Sequence, residues 1–270
     1  MRVAALQFDP RPAAVEDNLA TVEAWIERAV DEGVELLALP EMWASSFCEA
    51  TDALQEASAR AVERLKALSA RHEIALAGTA WGPRGPSGRP SNRLSLFSAG
   101  EALLEYDKVH LFSPTAEDQS FEPGQDPPAC AELRGWRLAG VICYDLRFGP
   151  LCERVWAQGA DLLLAPAQWP SPRAAHWEAL VRGRAVEGQA YVLAANRCGS
   201  ERVGRSQKQL VFPGNSLVIG PGGKELARGE GSVGLVGAEL DREAVRRLRV
   251  RVPVRKDRLG GLYARWGEAP

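Results

Sequence analysis

Short apolar runs alternate with stretches of helical period along most of this chain, and that alternation restricts the fold more than any other property. Val3 to Phe8 reads as a strand, Leu19, Val22, Ile26 and Val30 recur at helical spacing, and Leu36 to Leu39 is the next apolar run. This is a β-α-β opening. A second helical pattern covers Leu54 to Leu68, followed by a strand from Ile74 to Ala80 and a Gly/Pro-rich surface connection from Gly82 to Pro90. Leu94 to Phe97 and Ala102 to Tyr106 form a hairpin through Ser98-Ala-Gly-Glu101, and the polar stretch Ser113 to Pro128 reads as an irregular loop. Strands at Leu138–Ile142, Leu162–Ala165 and Tyr191–Ala195 then alternate with helices at Leu151–Gln158 and Ala174–Glu187, and a hairpin spans Ser216 to Ala227. Such an order predicts mixed sheets covered by helices, an α/β architecture. The sequence shows no internal repeat.

Composition narrows the function classes. With 270 residues, 46% hydrophobic and 25% charged, residues 1–270 are expected to form a single domain with a well-buried core. Lys and Arg number 33 against 35 Asp and Glu, so no basic excess exists to hold a phosphate backbone, and nucleic acid is not expected as a partner. The start goes straight into a strand-like run, and no segment has the unbroken apolar length of a membrane span, so a cytoplasmic protein is expected. The five cysteines, at 48, 130, 143, 152 and 198, follow no metal-binding or disulfide spacing and fit a reduced compartment.

Three apolar runs end in a residue that could do chemistry. Cys143 closes Gly-Val-Ile-Cys, Glu41 follows Leu36-Leu-Ala-Leu-Pro40, and Lys108 follows Leu103-Leu-Glu-Tyr-Asp107. A strand emptying into turn residues delivers a side chain to the rim of a sheet, where open α/β folds keep their pockets. A thiol needs a base or a positive neighbour to act as a nucleophile, a carboxylate in a dry pocket can be that base, and an ammonium can meet the oxyanion formed at a carbonyl. Each residue also has a plain reading, as a buried strand cysteine, a solvated strand terminus and a surface lysine. His110 and His176 leave a Cys-His pair open, whereas His72 closes a helix far from any rim.

In this order, Leu-Pro-Glu41, Tyr-Asp-Lys108-Val-His-Leu-Phe and Cys143-Tyr-Asp-Leu-Arg-Phe resemble the nitrilase superfamily of carbon-nitrogen hydrolases. The likeness extends to the opening Val-Ala-Ala-Leu-Gln, to Asn18-Leu, to His176-Trp, to Arg184-Ala-Val-Glu-Gly-Gln-Ala-Tyr, to Ala195-Asn-Arg and to Gly214-Asn-Ser216 before Pro221-Gly-Gly. It implies a four-layer αββα sandwich of two mixed sheets, assembled as homodimers or larger homo-oligomers, with the C-terminal tail 250–270 at a subunit contact. It also implies a Glu41-Lys108-Cys143 triad, with Glu117 as a further glutamate holding the lysine or the substrate. The substrate would be a small-molecule amide, with the backbone N–H of Tyr144 beside the oxyanion. No metal or organic cofactor is implied.

Within the superfamily, Gln168-Trp169-Pro170-Ser-Pro-Arg173 followed by His176-Trp177, and Glu41-Met-Trp-Ala-Ser-Ser-Phe47, are similar to the omega-amidase branch, which acts on 2-oxo acid amides such as 2-oxoglutaramate. Tyr144, Trp169 and Phe47 are therefore expected at the substrate, and Arg173 is expected to take a free carboxylate, which a guanidinium binds through two parallel hydrogen bonds. The segment Glu201–Phe212 departs from that branch in its length and is expected to reshape a pocket wall or a subunit contact. Deaminated glutathione or a carbamoyl compound remain as alternative substrates. A scaffold that kept the fold without activity is the contrasting possibility, disfavoured by an intact acid, amine and thiol.

Overall fold

A computed structural model describes residues 1–203 and 208–266, and the account of the fold refers to these. The first half runs β1 (Arg2–Gln7), α1 (Val15–Asp31), β2 (Leu36–Ala38), α2 (Asp52–Arg71), β3 (Ala75–Arg84), β4 (Pro90–Ser98), β5 (Glu101–Asp107) and a short α3 (Glu117–Ser120). The second runs β6 (Ala131–Leu133), β7 (Trp136–Gly140), α4 (Gly149–Ala157), β8 (Leu162–Ala167), α5 (Ala174–Gly188) and β9 (Tyr191–Asn196). After it come β10 (Cys198–Val203), β11 (Lys208–Pro213), β12 (Leu217–Ile219), β13 (Glu225–Arg228) and β14 (Gly234–Glu239). Helices α6 (Arg242–Arg251), α7 (Val254–Asp257) and α8 (Gly260–Arg265) complete the described chain.

The strands form two six-stranded sheets, ordered β14-β1-β2-β3-β4-β5 and β13-β12-β9-β8-β7-β6. In each, three parallel strands joined through helices are followed by two antiparallel ones, so β1-β2-β3-β4-β5 and β7-β8-β9-β12-β13 share one plan. The two halves thus repeat in topology where the sequence does not.

Both faces of each sheet are covered, which is why these strands read as unbroken apolar runs. Along β1 and β2, Val3, Ala5, Leu36 and Ala38 point into a core shared with Leu138, Leu162, Leu164, Val192 and Leu217 of the other sheet. Ala4, Leu6 and Leu37 point the opposite way, onto Val22 and Ile26 of α1 and Leu65 and Leu68 of α2. Helices α4 and α5 cover the second sheet with Val155, Trp156, Trp177, Val181 and Ala185. The result is the αββα sandwich that the resemblance implied. At Gly140 the sheets approach so closely that an added Cβ would lie 2.0 Å from Leu94 Cδ2.

Several boundaries differ from expectation. β3 continues through Gly82 to Arg84 across a bulge, and β4 begins at Pro90, so the expected loop 82–90 shortens to residues 85–89. A proline is tolerated there because it opens the strand. Much of the long segment at 201–212 is an antiparallel hairpin, with Cys198 opposite Pro213 and Val203 opposite Lys208, while Arg205-Ser-Gln lies outside the described residues. Several C-terminal arginines pack back against the body of the protein. Arg249 and Arg242 reach Asp161 at 3.0 and 3.1 Å, and Arg258 reaches Glu153 at 2.5 Å, which ties the C-terminal helices back onto the sandwich. No described helix is long and apolar enough to cross a membrane.

Candidate active site

Glu41 reaches its position because Pro40 ends the β2 region and the chain then turns sharply, with Met42 at φ +49° and its N–H on Thr79 Oγ1 at 2.7 Å. Lys108 follows β5 directly, its N–H donating to the Asn92 carbonyl at 2.9 Å. Glu117 enters from the start of α3, where its carboxylate accepts the Phe112 N–H at 2.6 Å. All three side chains are buried, Lys108 and Glu41 each 1% exposed and Glu117 3%.

These charges are in direct contact. Lys108 Nζ donates to Glu41 Oε1 at 2.7 Å and to Glu117 Oε1 and Oε2 at 2.8 Å each. Asn92 Nδ2 bridges the same carboxylates, at 2.9 Å from Glu41 Oε1 and 3.3 Å from Glu117 Oε1. The remaining oxygen of Glu41, Oε2, accepts the backbone N–H of Gln168 at 3.0 Å.

Cys143 opens a 3-10 turn, Cys143–Arg147, between β7 and α4, and it is not an ordinary strand residue. Its φ is +46°, a left-handed conformation that costs a non-glycine residue roughly 1–3 kcal/mol and persists only where neighbours enforce it. The enforcement comes from Asp145, fully buried, whose carboxylate accepts the Ile142 N–H at 3.2 Å, the Tyr106 hydroxyl at 2.9 Å and the His110 N–H at 2.9 Å. The turn leaves its first N–H groups, Tyr144 included, without partners inside it.

Electrostatics separate the roles. Burial, reinforced by Glu117 and opposed by Lys108, raises the Glu41 carboxyl above its ordinary 4.5. Burial and the Glu41 charge push the Cys143 thiol well above 9.0, with Lys108 pulling the other way. For Lys108, burial favours the neutral amine, but Glu117 and Glu41 outweigh it and hold the ammonium above its usual range. The thiol is therefore protonated at rest beside a carboxylate able to accept a proton and a permanent positive charge.

The triad opens into a cavity of ≈ 60 Å³ whose lining includes Glu41, Lys108, Glu117 and Cys143. Phe47, Tyr144, Trp169 and Arg173, expected at the substrate, all line it too. Sequence reasoning missed Phe112 and Arg147, which share the lining with Leu210 and Phe212 of the β10–β11 hairpin. Arg147 lies 4.9 Å over the Trp169 ring with Nη2 3.1 Å from His176 Nδ1, and Arg173 lies 5.3 Å over Phe112. Among the described residues neither guanidinium is paired with a carboxylate. Neither His110 nor His176 is paired with the thiol: His110 Nδ1 faces Asp145 at 2.9 Å while its ring stacks 3.5 Å from Phe148.

A carbon-nitrogen hydrolase family model matches residues 2–250. The 2-oxoglutaramate amidase of Bacillus subtilis (strain 168) is 31% identical over 263 residues, 97% of this chain and 98% of that protein. Omega-amidase YafV of Escherichia coli (strain K12) is 34% identical over 229 residues, 83% and 84% of the two chains. Among solved structures, a mutant of the amidase from Nesterenkonia sp. AN1, showing the result of Michael addition of acrylamide at the active site cysteine, superposes with a TM-score of 0.85 at 30% identity, covering 98% of this chain and 99% of that one.

Proposed function

The chain belongs to the carbon-nitrogen hydrolase family, and from that premise we propose that it is an omega-amidase, hydrolysing the terminal amide of a small carboxylate-bearing amide such as 2-oxoglutaramate. The observation that carries the chemistry is the buried contact of Lys108 with Glu41 and Glu117 in the cavity that also holds Cys143. The observation favouring an anionic substrate is a pair of guanidiniums, Arg147 and Arg173, that line the cavity without carboxylate partners among the described residues.

Glu41 takes the proton of Cys143 as sulfur adds to the amide carbon, so the high proton affinity of the resting thiol is overcome only when an electrophile is in place. The oxyanion forms between the Lys108 ammonium and the Tyr144 N–H. Glu41 then gives its proton to the departing nitrogen, the C–N bond breaks, and ammonia leaves behind a thioester on Cys143. Water delivers a proton to Glu41 and its hydroxyl to the thioester carbon, and the second collapse releases the carboxylic acid and returns the proton to sulfur. Glu117 keeps Lys108 in place throughout, and Phe47, Trp169 and Tyr144 form apolar walls along the acyl chain.

We further propose that the whole chain acts as one domain and that it works as a homo-oligomer, with the tail 250–270 at a subunit contact. Exposed apolar residues there, including Val250, Leu259 and Trp266, support that placement. A cytoplasmic setting accords with the free thiols among the described residues.

The test is a panel comparing 2-oxoglutaramate, deaminated glutathione and a carbamoyl compound, with mass spectrometry of the trapped acyl-enzyme. An adduct on Cys143 carrying the 2-oxoglutaryl group is expected. Turnover of deaminated glutathione alone would overturn the substrate assignment, and full turnover by Cys143→Ala would overturn the chemistry.

A further inference from the structure

Arg197 has no part in the chemistry just described, yet it is 1% exposed and among the largest fully buried side chains of the protein. It follows β9 directly. Its Nη1 donates to Gln168 Oε1 at 2.9 Å and Ser46 Oγ at 2.9 Å and pairs with Glu201, while Nη2 pairs with Asp9 and reaches the Pro10 carbonyl at 3.3 Å. A buried ion pair is weak evidence for stability, because apolar groups of similar volume often serve as well. What the guanidinium touches suggests another purpose.

Of the three side-chain partners on Nη1, Gln168 bonds Glu41 directly and Ser46 lies at the end of the turn that Glu41 begins. A guanidinium only donates, so it fixes the Gln168 amide with Oε1 toward Arg197 and Nε2 away from it. Nε2 then donates to the Glu41 carbonyl at 2.9 Å, and the Gln168 backbone N–H donates to Glu41 Oε2 at 3.0 Å. Ser46 ends the turn that begins at Glu41, and its φ of +49°, like that of Met42, is a conformation that needs outside support. Its hydroxyl donates to Glu201 Oε2 at 2.6 Å, so the same ion pair that anchors Gln168 anchors the far end of the turn.

We propose that Arg197 is a positioning residue: through Gln168 and Ser46 it holds the Glu41 carboxylate and backbone in the orientation from which the proton of Cys143 is taken. This rests on the reading of Glu41 as the base. It assigns a purpose to a charge that the sequence alone gave no reason to place near the site, 156 positions beyond Glu41 in the chain.

The experiment is steady-state kinetics over a pH range for Arg197→Met, Arg197→Lys, Gln168→Leu and the Arg197→Met/Gln168→Leu double variant, on whichever omega-amide is turned over. Misplacement of a catalytic group by about an ångström costs up to about 10²-fold, so kcat of Arg197→Met is expected to fall about tenfold to a hundredfold. KM is expected to stay within about threefold, since Glu41 acts in the chemical step. The acidic limb of kcat/KM is expected to move to higher pH, because a loosened Gln168 N–H no longer favours the charged carboxylate. Gln168→Leu should reproduce part of both effects, the double variant should be less than additive, and Arg197→Lys should recover part of kcat by keeping the charge without the planar fork. Should Arg197→Met fail to fold, Arg197→Lys and Gln168→Leu carry the test. Unchanged kcat and an unmoved acidic limb in folded variants, with Glu41→Gln inactive, would overturn the proposal. A near-normal Glu41→Gln would instead remove the base assignment beneath it.

Discussion

Lys108 Nζ lies 2.7 Å from Glu41 Oε1 while touching both oxygens of Glu117, so one buried ammonium neutralises part of two buried carboxylates. Lys108→Met would leave those carboxylates facing each other without a cation. Breaking a buried ion pair from one side costs about 3–5 kcal/mol, and a loss of that order is expected in urea unfolding. Adding Glu117→Gln should return part of the stability, because one of the two unpaired charges is gone, but none of the activity. A fully stable Lys108→Met protein would show that the three groups are not charged as the geometry implies.

Glu41 and His110 compete as the base for Cys143, and their surroundings separate them. His110 is occupied by Asp145 and stacked on Phe148, whereas Glu41 sits beside Lys108 in the cavity lined by Cys143. Glu41→Gln is expected to lower kcat by about 10²–10⁴, the usual share of a general base. His110→Phe keeps the stacking, loses one contact to Asp145, and should lower kcat by less than about tenfold. The reverse order in single-turnover measurements would transfer the role to the histidine.

The rim residues were legible because each ends an apolar run: Leu36 to Leu39 before Glu41, Leu103 to Tyr106 before Lys108, and Val141-Ile142 before Cys143. Period and termination are local signals, and they sufficed for α1, α2, α4 and α5, most strands and the α/β class, whereas the four-layer αββα arrangement was legible only through the family resemblance. Asn92 was missed for a local reason, since Pro-Ser-Asn-Arg reads as turn residues although Asn92 is fully buried within β4. Gln168 stood in a recognised motif but carried no sign that its amide would face Glu41, 127 residues away. Arg197 and the shared plan of the two sheets were hidden for the same reason: pairing across the chain leaves no periodic trace in either partner. The left-handed φ of Cys143 was equally silent, because the conformation is enforced by Asp145, whose carboxylate accepts the Ile142 N–H, and not by the residue type.

Gly140 tests the packing that brings the two sheets, and with them the rims, together. A methyl group at this position would overlap Leu94 Cδ2, so Gly140→Ala is expected to destabilise the protein by about 1–3 kcal/mol, the usual cost of overpacking. Leu94→Ala alone should also destabilise, by about 2–5 kcal/mol, through the cavity it leaves. The double variant should be more stable than the sum of the two losses predicts, since each change makes room for the other. Strict additivity in urea melts would mean that the contact is relieved by backbone movement.

The raised Glu41 carboxyl makes activity and stability respond to pH in opposite directions. With Glu41 as the proposed base, activity requires the ionised form, so kcat/KM should rise with pH through a limb lying above 4.5. No fall is expected before pH 9.0, because Cys143 keeps its proton well beyond that value and Lys108 is held charged above its usual range. Stability runs the other way: a group whose folded pKa is raised favours the folded state fully below its unfolded value and loses that contribution as pH rises through the folded one. Glu41 thus contributes most at low pH and least where the enzyme is active. Glu41→Gln removes this penalty while leaving Lys108 paired with Glu117, so its melting temperature should equal or exceed that of the parent at about pH 7–8 and lose the advantage below about pH 4.5. A variant uniformly less stable across that range would show that the Glu41–Lys108 attraction outweighs the cost of burying the carboxylate.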